Sequence, residues 1–375
     1  MSQGLNIRIF AHSWVSDWNH GNAHFLRGLA RSLVRQGNKV RCYEQLGAWS
    51  LTNLVRQEGE RAIDSIDHFR RVFPELDIRF FNQDHTLADF LLRELRGADV
   101  VILHEWNDPA LVNAVLALKQ QLGFYALLHD THHRAYTSPR DLLRLHLHLF
   151  DGVLAFGEPI ARIYRDGFGM ERVWTFHEAA DIENFKPLEV EKTQELVWIG
   201  NWGDEERTRE LEEFLIAPSA AVAGRKRAYG VRYPDDAKQR LEAAGIEFCG
   251  YLPNLRAPEE YAASKVTLHI PRRQYVNGLS GVPTIRVFEA LACGIPLLCS
   301  PWEDVEGLFR PGQDYLVARD TATMQGLLQE MLADEPARRQ LIANGLETIH
   351  SRHTTDHRAQ QLVEICGELA EERAA

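Results

Sequence analysis

The sequence predicts an α/β fold built from two Rossmann-like units, and three observations carry that prediction. Short apolar runs alternate with helical patterns along most of the chain, as parallel sheets with crossover helices require. At 375 residues the chain is too long for one ordinary hydrophobic core. A stretch from about residue 176 to 192, with Pro187 and many charges, separates two such alternating halves.

The first half opens with a strand over residues 6–10 and a polar loop through Trp18, His20 and Gly21. A helix follows over 23–36, stopped by Gly37, and a strand over 39–43 completes a βαβ crossover. The loop has no Gly-x-Gly-x-x-Gly pattern, which argues against a dinucleotide cofactor. Further apolar strands are expected at 100–103, 125–128 and 153–156. Ligands of such sheets bind beyond the carboxyl ends of the strands. Two of those ends carry unusual chemistry, His104-Glu105-Trp106-Asn107-Asp108 and His129-Asp130-Thr131-His132-His133-Arg134, and both are expected to face one crevice. The histidine and acid pairs suit proton transfer or substrate positioning. Two other readings stand beside that one: Asp and Thr as helix caps and loop hydrogen-bonders, and imidazoles with carboxylates as ligands of zinc or iron. Neither cluster has the His-x-x-x-His spacing of a helical metal site.

The second half repeats the pattern. A strand over 196–199 runs into Gly200-Asn201-Trp202-Gly203-Asp204, where two glycines allow a backbone to approach a ligand, and Arg207 follows within reach of a phosphate or as a surface helix charge. Strands around 227–233 and 246–250 lead to Tyr251-Leu252-Pro253-Asn254. A strand over 266–270 precedes the loop Asn277-Gly278-Leu279-Ser280-Gly281. Pro283 then suits the first turn of a helix that includes Thr284 and Ile285 and ends at Gly294, with a strand over 295–299 directly after it. On this helix Arg286 and Glu289 lie three apart and share a face. A helix N-terminus attracts anions, an arginine adds a fork suited to phosphate, and a carboxylate one turn deeper can accept from a ribose diol. The plain alternative is an intrahelical surface ion pair. The flanking residues are nearly all apolar, so the helix is expected to be buried and its charges to need a partner or a ligand.

The wording Arg286-x-Phe288-Glu289-Ala290-x-Ala292-Cys293-Gly294 resembles the donor-binding helix of GT-B glycosyltransferases, in particular the spore-maturation CgeB-type group and, more distantly, the family 4 retaining enzymes. That resemblance implies two Rossmann-like domains facing a central cleft, with a C-terminal helix crossing back to the N-terminal domain. It divides the chain into an acceptor-side domain over 1–185, a nucleotide-sugar domain over 190–350 and the returning helix over 351–375. It implies that Glu289 binds the nucleotide ribose and that the turn at Tyr251 and Leu252 borders the base. Gly281, Thr284, Ile285, Arg286, Gly200, Asn201, Trp202 and Arg207 complete the expected donor side, with His20 and Gly21 in an N-terminal cleft loop. His104 with Glu105 resembles the His-acid-Trp turn of starch-synthase-like enzymes, and His129 with Asp130 takes the place of a histidine near the transferred sugar. Two departures stand out. Gly281 occupies the position of an earlier family 4 glutamate, and Asn201 stands where those enzymes carry an arginine.

Composition agrees with a globular enzyme: 45% apolar and 25% charged residues, with a net charge of −11 that disfavours a general nucleic-acid binder. No apolar run approaches the roughly 20 residues of a membrane helix, and no signal-peptide pattern precedes the first strand, so a cytoplasmic protein is expected. The five scattered cysteines, without a Cys-x-x-Cys pair, point to reduced thiols. The expected activity is transfer of a sugar from a nucleoside diphosphate to an acceptor hydroxyl, retaining at the anomeric carbon and needing no cofactor or metal, because the chain has no Asp-x-Asp triplet. The acceptor class stays open among glycan, small metabolite, protein and modified nucleobase. Two other functions compete: a nucleotide-sugar epimerase on the same fold, and a catalytically silent nucleotide-sugar-binding or scaffold protein.

Overall fold

A computed structural model describes residues 4–374. The chain forms two compact units, Met1–Glu178 with Thr355–Ala375, and Ala179–Thr354. Both are parallel α/β sheets, as the alternation of apolar strands and helices predicts.

The first unit contains strands β1 (Asn6–Phe10), β2 (Lys39–Gln45), β3 (Asp77–Phe81), β4 (Val100–His104), β5 (Tyr125–Asp130), β6 (Gly152–Ala155) and β7 (Val173–Thr175). Their order is β3-β2-β1-β4-β5-β6-β7, parallel throughout, with Ile7 paired to both Val40 and Val100. Central strands of such a sheet are covered on both faces, and β4 is accordingly buried at all five residues. The strand order reverses between β1 and β4, which opens a crevice at their carboxyl ends. The helix Ala23–Arg35 carries a nearly continuous buried face, and the helix Thr355–Ala374 packs against it. Ser32 and Thr355 share a 2.9 Å hydroxyl contact there, Arg35 pairs with Asp356 at 2.7 Å, and the Trp174 indole donates to Glu368 at 3.0 Å. The expected return of the C-terminal helix to the N-terminal domain is what these contacts build.

The second unit contains β8 (Gln194–Ile199), β9 (Lys226–Tyr229), β10 (Ile246–Gly250), β11 (Ser264–His269), β12 (Leu297–Cys299) and β13 (Leu316–Val317), in the order β10-β9-β8-β11-β12-β13. Its reversal lies between β8 and β11. The core beside this sheet is apolar and centred on Leu196, Trp198, Leu215, Leu241, Val266 and Leu328. Pro283 stands outside the helix and not in its first turn as expected, because Thr284, the N-cap, is still extended (φ −84°, ψ 162°) and the helix runs Ile285–Ala292. Gly294 takes the left-handed conformation (φ 64°) that ends the helix. All five cysteines are free, and no described helix is long and apolar enough to cross a membrane.

Candidate functional site

Each unit places chemistry at its own topological switch point. In the second unit the turn after β8 and the end of β11 flank the start of the helix Ile285–Ala292. Arg207 donates to the carbonyls of Ile270, at 3.1 Å, and of Asn201. Its Nε is buried with no hydrogen-bond partner among the described residues. Burial, together with the nearby Arg272 and Arg286, lowers the Arg207 pKa to about 10. Three guanidinium groups therefore share one neighbourhood, and mutual repulsion is tolerated only where counter-charge is supplied. Part of it is internal, since Arg272 pairs with Glu206. His269, at the end of β11, is 2% exposed and lies 3.2 Å through Nε2 from the Thr284 hydroxyl. Burial and then Arg207 push its pKa down to about 3, so the ring is neutral at ordinary pH. Thr284, at the N-cap, thus turns its side chain toward a strand end and not back onto its helix.

Arg286 and Glu289 do form an ion pair, as the plain reading of the helix has it. It is not a surface pair: the Glu289 side chain is fully buried and that of Arg286 only 26% exposed. Asn254 donates to the other Glu289 oxygen at 2.7 Å, and Arg286 also hydrogen-bonds Tyr261. Asn254 and Arg286 therefore hold the two Glu289 carboxylate oxygens from inside the fold. Asn254 and Tyr261 were not among the expected site residues. Asn254 lies three residues beyond Tyr251, which with Leu252 is only partly buried.

The glycines of this unit have internal reasons. A Cβ on Gly200 would stand 2.5 Å from the Trp198 ring, and one on Gly203, whose φ is +77°, 2.8 Å from Arg207 Nε. Gly281 has φ +92° and a Cβ there would meet Val305 at 2.3 Å. A glutamate cannot occupy that backbone without rebuilding the loop, which is the physical content of the departure at this position. Asn201 accepts from the Val231 N–H at 3.0 Å, while Trp202 is 4% exposed and packs against Tyr233 with the rings tilted, centroids 5.3 Å apart.

In the first unit the loop after β1 is held by a residue the sequence reading passed over. Glu44 of β2 is fully buried and accepts from the N–H groups of Trp14, at 2.5 Å, and Val15, at 3.0 Å, and from the Ser13 hydroxyl. This anchors His12 and His20, whose rings lie 3.8 Å apart. His20 Nε2 meets the Ser13 carbonyl at 3.2 Å, and Gly21 is exposed beside it. His104 is 5.6 Å from His12 and 5.4 Å from His129, ring to ring, and contacts the Thr131 hydroxyl at 2.9 Å. His129 is 1% exposed, boxed by Phe25 and Phe176, and desolvation drops its pKa to about 3. Burial likewise lowers His12, to about 4. At these strand ends Trp106 and Asp108 are exposed, and His12, His132 and Arg134 are partly so.

The two acids are engaged locally. Asp130 accepts from the Tyr164 hydroxyl at 2.7 Å and the His132 N–H at 2.9 Å, a loop hydrogen-bonding role and not a helix cap, since the helix Arg134–Thr137 has no side-chain cap. Glu105 accepts from Arg134 at 2.7 Å. Burial raises the pKa of both, and the Asp130 charge raises Glu105 further. His133 contacts Thr137 at 2.9 Å. Among the described residues no group of three His, Cys, Asp or Glu side chains is disposed to hold a metal ion.

Residues 207–364 match a family model described as glycosyl transferase-like. No curated protein matches the chain significantly. Among solved structures the chain is similar to sucrose-phosphate synthase from Thermosynechococcus elongatus, at 14% identity over 98% of this chain and 100% of that one, with a TM-score of 0.65. It is similar to Anabaena Alr3699/HepE in complex with UDP and glucose, at 12% identity over 97% and 99%, TM-score 0.71. An alpha-glucosyltransferase in complex with UDP and DNA containing an HMU base matches at 13% identity over 97% and 99%, TM-score 0.68. These likenesses establish the architecture across nearly the whole chain. The chain has the GT-B fold and carries a glycosyltransferase-like domain over residues 207–364.

Proposed function

We propose that this protein transfers a sugar from a nucleoside-diphosphate donor, a UDP-sugar, to an acceptor hydroxyl, with retention at the anomeric carbon and without a metal. The observation that carries the reading is the gathering of Arg207, Arg272 and Arg286 at the start of the helix Ile285–Ala292, at the switch point of the second sheet. Glu206 and Glu289 already pair with Arg272 and Arg286, and a diphosphate would supply a counter-charge to Arg207, whose hydrogen bonds among the described residues go to backbone carbonyls. Arg286 and the helix N-terminus would stabilise the departing diphosphate, which carries most of the charge developed in an oxocarbenium-like transition state. Glu289, preset by Asn254 and Arg286, would accept from the ribose diol, with Tyr251 and Leu252 beside the base. The UDP in the complexes of two similar structures supports this donor class.

On the first unit, His104 and His129 with Glu105 and Asp130 would shape the acceptor side. Neutral imidazoles can accept or donate without adding charge that competes with the leaving group. The wording of residues 286–294 supports a kinship with the CgeB-type, family 4-like group, and the free cysteines fit a cytoplasmic setting. The test is a panel of nucleotide sugars read first by thermal stabilisation and then by release of free nucleoside diphosphate, with the anomeric configuration of any product read by proton NMR. Stabilisation by one donor followed by acceptor-dependent release supports the reading. Interconversion of two nucleotide sugars without acceptor, or binding with no turnover on any acceptor, overturns it.

A further inference from the structure

We infer that Trp106 is the stacking platform for the acceptor and that the acceptor is a saccharide. This rests on the glycosyltransferase reading, and it comes from the first unit alone. Trp106 follows β4 directly at the switch point, yet its side chain is 43% exposed. Five of the eight tryptophans use their indole N–H inside the fold, Trp14, Trp18, Trp174, Trp198 and Trp302. Among the described residues no hydrogen bond engages that of Trp106, so its one polar atom is available to a ligand.

The ring is nonetheless fixed. The Arg134 guanidinium lies 4.4 Å from the ring centroid, and Arg134 is itself anchored to the Glu105 carbonyl at 2.9 Å and the Glu105 carboxylate at 2.7 Å. The His132 ring meets the indole edge-on at 5.1 Å, and the His12 ring lies 6.5 Å away. His12 Nδ1 is buried with no partner among the described residues. A large apolar surface held in place by its neighbours loses little entropy on binding.

The chemistry of the rim selects the ligand. A pyranose has an apolar C–H face and a rim of hydroxyls that both donate and accept. Trp106 offers the flat face, and the His12 imidazole, neutral at ordinary pH, can serve a hydroxyl in either sense. A nucleic-acid strand would instead require cations free to face phosphates. The guanidinium at the platform is already committed to Glu105 and the indole, and the chain as a whole carries a net charge of −11.

The test is calorimetry on the full chain, with UDP present, against maltotetraose, cellotetraose and chitotetraose, and against a short single-stranded oligonucleotide. One of the saccharides should bind, Trp106→Ala should weaken it by at least about tenfold, and Trp106→Phe should keep it within about threefold, while UDP affinity stays unchanged in both variants. Circular dichroism confirms that both variants fold. No saccharide binding, saccharide binding equal in Trp106→Ala, or loss in that variant of oligonucleotide binding alone each overturns the inference. UDP is titrated separately. Absent UDP binding with saccharide binding that depends on Trp106 counts against the donor reading and leaves the platform standing.

Discussion

Replacing Glu289 with glutamine separates the two readings of the helix Ile285–Ala292, because the side chain keeps its shape and loses its charge. In the free protein Glu289 is fully buried, paired with Arg286 and accepting from Asn254 at 2.7 Å. A glutamine can still accept from Asn254 through its carbonyl, but its amide then faces Arg286 donor to donor. Loss of one charge-assisted hydrogen bond at a buried site costs about 1 to 3 kcal/mol of stability. The Arg286 side chain is 26% exposed and also meets Tyr261, so solvent and that hydroxyl hold the cost toward the lower end. If Glu289 also accepts from the ribose, the neutral amide loses about another 1 to 3 kcal/mol of donor binding, roughly a 5- to 150-fold weaker dissociation constant. Calorimetric titration with the nucleoside diphosphate measures the second quantity and thermal denaturation by circular dichroism the first. A variant that melts earlier yet binds with unchanged affinity would refute the ribose role and leave Glu289 as the internal partner of Arg286 and Asn254.

Three further outcomes are expected. His129→Ala should lower turnover far more than donor affinity if the ring shapes the acceptor side; because it also empties a box formed by Phe25 and Phe176, stability will fall, and turnover within a few-fold of the parent in the folded variant would assign His129 to packing alone. The buried neutral histidines make the fold acid-labile: His12 near 4, His129 near 3 and His269 near 3 all titrate below their unfolded value, so between those values and about 6.5 the unfolded chain binds more protons, and stability, complete above that pH, is lost as pH falls, by about 2 kcal/mol per histidine at about pH 5. Glu105 and Asp130, raised by burial, have the opposite sign and return part of this on acidification; urea denaturation at about pH 7.5 and about pH 5 reads the sum, and a proton NMR titration in which the His12, His129 or His269 ring titrates at about 6.5 would contradict the burial of that ring. Chelator treatment, with metal removal confirmed by elemental analysis, should leave turnover unchanged, whereas a loss restored by one specific metal would revive the reading of His129, His132 and His133 as ligands.

How much of this was legible in the sequence depends on the range of the interaction involved. The parallel sheets, the buried helix with Arg286 and Glu289, and the left-handed Gly294 follow from local pattern: apolar runs long enough for a strand, a 3.6-residue period, and a glycine where only φ above zero ends the helix. The strand-end histidines were visible as unusual residues at positions where α/β sheets bind ligands. What they touch was not. His129 packs between Phe25 and Phe176, residues far from it along the chain, and His104 meets the Thr131 hydroxyl from the neighbouring strand end. Glu44, Asn254 and Tyr261 carried no local signal, since a carboxylate in a strand or an amide after a proline acquires a role only from what the fold lays beside it. Gly200 and Gly203 were legible as points of close backbone approach, but the Trp198 ring beside Gly200 and the positive φ of Gly203 were not. Residue type and period determined which elements form. Close packing between elements distant in sequence decided which polar groups are satisfied, which charges share a site, and that Trp106 in the turn after β4 remains open to solvent on a fixed support.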